Sequence, residues 1–133
     1  MVAWNTSEKR VAIVAGSRTP FAKMGGPLKR VHVTDLAKRA IEEALYRSHW
    51  RVDRMDEVIL GNVILPVDAA NPARVSAEWA GVPHRVPALT VQRNCASGIE
   101  AIAEAAVRIR TGQSRAMIAG GAESMSQIPL LFP

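Results

Sequence analysis

The chain has 133 residues, one domain's worth, and its 48% hydrophobic and 22% charged residues suit a globular protein able to bury a core. No apolar run approaches a membrane span, and a single cysteine excludes an internal disulfide framework and fits a reducing compartment. The net charge of +5 is carried by basic residues scattered without a long run, and aromatic content is only 5%, so neither nucleic-acid binding nor base stacking is expected.

The opening "MVAWNTSEKR" has no apolar core and is not Arg/Ser-rich, so it does not read as a cleaved leader. "VAIVAG", Val11 to Gly16, is a short apolar run closed by glycine and reads as a buried strand. The Gly- and Pro-rich loop "SRTPFAKMGGPLKR" follows. In "VTDLAKRAIEEALYRSH", Leu36, Ala37, Ala40, Ile41, Ala44 and Leu45 recur at helical spacing, with Thr34 as candidate N-cap and Asp35 near the positive helix end.

"DEVILGNVIL" reads as a second strand from Val58 to Leu60 or as far as Leu65. A short helix is punctuated on both sides: Asn71 can cap it, Pro72 suits its first position, Gly81 ends it and Pro83 prevents its return. "PALTVQRN" is a third strand, Ile99 to Thr111 a third helix, and "RAMIAGGAESMS" holds a fourth strand ending in Gly120-Gly121. The fold class is therefore α/β, in the order β-α-β-α-β-α-β, with a mainly parallel sheet. There is no internal repeat, low-complexity tract or linker. The apolar tail "PLLFP" reads as the place where a larger protein has been cut.

The only cysteine, Cys95, sits where the third strand ends and the third helix begins. Ligands of α/β sheets gather at the carboxyl ends of strands. Unpaired N–H groups and the helix dipole there favour the thiolate, which is the nucleophilic form. Ala96, Ser97 and Gly98 are small and leave room for close approach. Three readings stand on spacing alone: a small buried hydrophobe, a nucleophile, or a redox-sensing thiol. The helix that follows is apolar nearly all round, with only Glu100, Glu104 and Arg108 as a polar stripe. Such a helix needs cover on most sides, so a second domain or partner subunit is expected over it.

"VQRNCASGIEAI" resembles the active-site segment of the thiolases, the acetyl-CoA acyltransferases. "RTPF" at Arg18 to Phe21, "NPAR" at Asn71 to Arg74, "AGVP" at Ala80 to Pro83 and "GGAESMS" at Gly120 to Ser126 resemble further family segments, in family order and at family-like spacing. Gln92 departs from the asparagine many thiolases carry, which bears on the subfamily more than the chemistry.

The resemblance implies that residues 1–133 are a thiolase N-terminal domain, lacking the loop domain and the C-terminal half. It implies a third helix buried between two similar halves, and a homo-oligomer, dimer or tetramer. It makes Cys95 the catalytic nucleophile: the thiol attacks a 3-oxoacyl-CoA, acetyl-CoA leaves, and a second CoA takes the acyl group from sulfur. Coenzyme A thioesters are then substrates, with no resident cofactor and no metal. The family's "GHP" histidine, "NEAF"-type loop and second cysteine do not occur here, so the chain is expected to be inactive alone. A non-catalytic dimerisation or interaction half-domain, or a subunit of a split thiolase, is the alternative. Acyl chain length is not legible; a degradative role in fatty acid β-oxidation is favoured over a biosynthetic one. A cytoplasmic location is the default, with peroxisome and mitochondrion left open.

Other residues carry two readings each. Arg18 is either a phosphate ligand or, as favoured, structural in its turn. Gly120-Gly121 lacks nucleotide-loop spacing and is better explained by close packing beside the Cys95 strand end. Glu123 is either an acid near the site or, as favoured, a residue that fixes its loop through backbone N–H groups. His32, His49 and His84 read as surface or loop residues, and Trp4, Trp50 and Trp79 as packing residues. One cysteine and three separated histidines give no metal-ligand spacing.

Overall fold

Val58, Ile59 and Leu60 form the most apolar stretch of a strand and are buried almost completely, at 0%, 0% and 6% exposure. They lie at the centre of a three-stranded sheet in the computed structural model, which describes residues 10–129. Strand β1 (Glu57–Gly61) is flanked by β2 (Ala88–Val91) and β3 (Met117–Gly121), both parallel to it, with Ile59 opposite Leu89 on one side and Ala119 on the other. A parallel strand buried on both faces is a continuous apolar run, and "VIL" fits that. β1 stops at Gly61 rather than running on to Leu65, because Asn62 turns its side chain into the hydrogen bonds that close the sheet end.

Helix α1 (Val33–Ser48) and helix α2 (Pro72–Trp79) cover one face. Ala37 and Ile41 of α1 join Ala73 and Ala77 of α2, Val82 and Val86 around Val58 and Leu60. Ile59 points to the opposite face by the two-residue alternation of a strand. There helix α3 (Ser97–Arg110) packs on β3 and β1 through Ser97, Ala101 and Ala105 at i, i+4 and i+8. Burying Ile41, Val58, Ile59 and Leu60 contributes roughly 1.5–3 kcal/mol each.

The strand read at Val11–Gly16 is not formed, so the observed order begins with a helix and runs α-β-α-β-α-β. Ile13 is 87% and Val14 62% exposed. A strand exists by pairing, and the apolar pattern here meets no strand edge among the described residues. The end of the segment is tied to α1 instead: the Ser17 hydroxyl donates to the Ala40 carbonyl (2.5 Å) and Arg47 to the Gly16 carbonyl (3.3 Å). Helix α3 is buried towards the sheet only. Ile99, Ile102 and Val107, at 72%, 46% and 52% exposure, face away from every described residue that could cover them.

The caps follow the sequence closely at α2 and less so at α1. Asn71 Oδ1 accepts from the Arg74 N–H (3.2 Å) and from the Thr90 hydroxyl (2.7 Å), and its amide donates to the Ala88 carbonyl (3.0 Å), so the cap also ties α2 to β2. α1 is capped by His32, whose Nδ1 accepts from the Thr34 N–H (3.3 Å). Thr34 lies fully buried in the first turn. Trp50 and Trp79 are 40% and 55% exposed and are not core packing residues; Trp4 falls outside the described residues.

The amino end of the sheet is closed by Asp56. Its carboxylate accepts the Arg115 and Ala116 N–H groups (2.6 and 3.1 Å), and these bonds hold its pKa below the usual aspartate value. A carboxyl depressed by folding stabilises the fold above its unfolded pKa and loses that contribution as pH falls through the folded one. Replacing Asp56 with Asn is therefore expected to flatten the decline of stability below about pH 4. Urea unfolding of both proteins from pH 6 downwards measures it, and parallel curves would contradict the assignment.

Candidate active site

All three strands point their carboxyl ends the same way, so the loops after Gly61, Val91 and Gly121 meet at one end of the sheet. Two of these strands end in glycine, for a steric reason. A Cβ on Gly61 would lie 2.3 Å from the Ser97 carbonyl carbon and 2.6 Å from the Gly98 nitrogen. A Cβ on Gly121 would meet the Gly61 oxygen at 3.1 Å and the Gly98 Cα at 3.2 Å. The first turn of α3 thus sits directly on two glycine strand ends. Gly120 differs, with only a Leu60 methyl at 3.9 Å.

Between β2 and α3 the chain makes one tight turn, Arg93 to Ala96. Asn94 takes a left-handed φ of 49°. The Ala96 and Ser97 N–H groups donate to the Arg93 and Asn94 carbonyls (both 3.1 Å). Ser97, only 4% exposed, accepts the Arg93 N–H on its hydroxyl (2.8 Å) and donates to the Asn94 carbonyl (2.6 Å). Cys95 is carried on the crest of this turn as a free, exposed thiol, which removes the buried-hydrophobe reading. Arg93 pairs with Glu100 alongside it.

The far end of α3 is pinned as well. Arg108 donates to Glu104 (3.0 Å) and to Glu57 at the start of β1, and these two carboxylates raise its pKa above the ordinary arginine value.

Glu123 fixes the loop beyond β1, as its sequence setting suggested. One carboxylate oxygen accepts the Val63 and Ile64 N–H groups (2.9 and 3.3 Å), and the other accepts the Asn62 amide (3.2 Å) and its neighbour Ser124 N–H (3.3 Å). Asn62 is 2% exposed and its amide also donates to the Ala122 carbonyl (2.9 Å). Gly61, Asn62 and Ser97 were not singled out in the sequence for these roles; the glycine and asparagine that end "VILGN" were the available signal.

The histidines lie on other contacts. His32 caps α1 and faces Asp68 (3.2 Å), His84 sits on Glu78 (2.6 Å) and Arg74, and the His49 ring stands 6.4 Å from Tyr46. Among the described residues Cys95 has no side-chain hydrogen bond to a base. Among the described residues Arg18 donates only to the neighbouring Thr19 carbonyl (3.3 Å), and it borders an open surface hollow of about 890 Å³ with Phe21 and Arg47, to which the Cys95 turn contributes nothing. No group of described residues could hold a metal ion, and no described helix is long and apolar enough to cross a membrane.

Fold and site together define an α/β domain that presents a thiol at the carboxyl end of a parallel sheet, on the turn that leads into a helix. Residues 11–133 match the family description "Thiolase, N-terminal domain". The chain belongs to the thiolase family. It is 41% identical over 122 residues to a probable acetyl-CoA acyltransferase of Staphylococcus aureus (strain NCTC 8325 / PS 47), a match covering 92% of this chain and 31% of that protein. It is 45% identical over 121 residues to a probable acetyl-CoA acetyltransferase of Mycolicibacterium smegmatis, covering 91% and 31%. The crystal structure of the Bacillus anthracis acetyl-CoA acetyltransferase superposes with a TM-score of 0.88 at 42% identity, over 91% of this chain and 31% of that one. The chain thus spans about a third of the length of the relatives it matches.

The glycine seat gives a direct mutational contrast. Gly61→Ala is expected to destabilise by about 3 kcal/mol or more, because its methyl group overlaps backbone that cannot move without lifting α3. Gly120→Ala, in ordinary contact only, is expected to stay within about 1 kcal/mol of the parent. Thermal unfolding of the two variants decides it, and similar losses would show that α3 does not sit on Gly61.

Proposed function

We propose that this chain supplies the nucleophile half of a thiolase-type acyl transfer between 3-oxoacyl-CoA and CoA. The observation that carries the reading is the exposed Cys95 at the β2–α3 turn of a domain belonging to the thiolase family. The relatives' names, acetyl-CoA acyltransferase and acetyltransferase, support the substrate class. In this reading the Cys95 sulfur adds to the ketone carbon, and the bond between C2 and C3 breaks. Acetyl-CoA leaves after its carbanion takes a proton, and the acyl group stays on sulfur as a thioester. The thiol of a second CoA then displaces Cys95. The reverse sequence condenses two acyl-CoA molecules. A degradative role in lipid metabolism, with CoA thioesters as substrates rather than a resident cofactor, completes the proposal, as does a cytoplasmic setting.

The cycle needs a base for the thiol, an acid for the carbanion and donors for two oxyanions. Losing one oxyanion donor costs on the order of a hundredfold or more, and such groups act as a unit. The described residues place no histidine against Cys95, so these groups would come from elsewhere in the assembled enzyme. The exposed stripe of Ile99, Ile102 and Val107 on α3 supports an interaction half as a second reading, in which another domain or subunit covers the helix in an oligomer.

Two measurements test these readings. Incubation with acetoacetyl-CoA is expected to leave an acetyl group on the peptide carrying Cys95, once per chain and without sustained turnover, and no adduct in Cys95→Ala. An adduct absent from the folded parent would remove the nucleophile role, and continuous turnover would remove the half-site reading. Sedimentation at low micromolar concentration is expected to show self-association; a clean monomer that binds no hydrophobic dye would show that the α3 stripe needs no cover.

A further inference from the structure

We propose that Ser97 is a positioning residue for Cys95, a role that rests on the nucleophile reading above and extends it to a second side chain. A serine at the start of a helix ordinarily turns its hydroxyl forward, to accept an N–H of the first turn. Ser97 turns it backward. The hydroxyl accepts from the Arg93 N–H (2.8 Å) and donates to the Asn94 carbonyl (2.6 Å), both in the segment just before Cys95. Ser97 is 4% exposed, so water replaces its hydroxyl poorly; losing it takes the partner from the Arg93 N–H and one of two donors from the Asn94 carbonyl, which still accepts the Ser97 N–H (3.1 Å).

Two features make the clamp consequential for the thiol. Asn94 stands at φ 49°, in the left-handed region that asparagine tolerates better than other non-glycine residues, and this φ sets the course of the chain into Cys95. The Ser97 hydroxyl bonds the carbonyl of that same residue. The backbone of Ser97, in turn, lies against Gly61, so the clamp is anchored to the end of β1. Cys95 is therefore attached to the sheet through Ser97 as well as through the covalent chain. The cap residue of α3, Ala96, offers no side-chain acceptor, and Ser97 is committed backward. The opening N–H groups of α3 thus face no side-chain cap of their own, beside the atom that would react.

A misplacement of about 1 Å can cost a hundredfold in a directed reaction, while a small reagent approaching an exposed thiol from any side is far less demanding. The experiment compares the two. Cys95 acylation by acetoacetyl-CoA and alkylation by iodoacetamide are timed by mass spectrometry in the full chain, in Ser97→Ala and in Ser97→Thr. Ser97→Ala is expected to slow acylation about tenfold or more while alkylation changes by less than about threefold, and Ser97→Thr, which keeps the hydroxyl, to recover most of the acylation. Equal acylation in parent and Ser97→Ala would overturn the positioning role and leave Cys95 as nucleophile. A parent that alkylates but never acylates would overturn the nucleophile reading, and the positioning role with it.

Hydrogen exchange in the unmutated chain tests the clamp even if Ser97→Ala does not fold. The Arg93 amide is expected to exchange about tenfold or more slowly than an unbonded loop amide. Exchange at the unprotected rate would show that the clamp does not hold, and would overturn the proposal.

Discussion

The contact between Gly61 and the backbone of Ser97 and Gly98 organises the rest of the molecule. Packed layers of secondary structure, such as stacked sheets at about 10 Å, ordinarily stand apart because side chains fill the space between. Here the first turn of α3 comes down onto strand ends that have no side chains, with Gly121 accepting the same turn from the other strand. That descent brings the beginning of α3 into line with the carboxyl ends of β1 and β3, and the turn that carries Cys95 has nowhere else to go. Arg108 and Glu57 hold the other end of the helix to the opposite end of β1. The helix is thus fixed at two points along one strand, which sets its direction as well as its height.

A reactive group placed in this way gains from rigidity it does not itself provide. The Cys95 turn is short, exposed and contains a left-handed asparagine, features that would let an isolated loop wander. It is held instead by Ser97 below and by the sheet end beyond. The neighbouring loop is locked by Glu123, whose two oxygens take the Asn62, Val63, Ile64 and Ser124 donors. The carboxylate is better placed for that than for proton transfer, because its acceptor capacity is used in fixing backbone. The thiol is the one chemically reactive group at this end of the sheet that the fold leaves uncommitted among the described residues.

Much of this could be read from the chain. The alternation of apolar strands with amphipathic helices gave the parallel α/β class, and the punctuation from Asn71 to Pro83 placed α2 with its cap. Cys95 stood out because a sole cysteine occupied a strand-to-helix junction. Val11–Gly16 misled, because an apolar run closed by glycine records only that a segment can be buried; whether it pairs depends on an edge being available. The α1 cap lies two residues before Thr34, because the His32 imidazole nitrogen accepts the Thr34 N–H and so opens the helix earlier than a Thr34 cap would. Gly61 and Ser97 were invisible in their roles for a different reason. A glycine that ends a strand looks the same whether a helix lies on it or solvent does, and a serine in a run of small residues does not announce which way its hydroxyl turns.

The most direct test of the account is a nuclear Overhauser measurement on the isotope-labelled chain. Cross-peaks are expected from the Gly61 and Gly121 α-protons to the amide and α-protons of Gly98, which the contact distances place next to one another. Their presence would establish that the first turn of α3, and with it Cys95, is seated on the glycine ends of β1 and β3. A folded chain showing the β1–β3 strand contacts without those cross-peaks would contradict it.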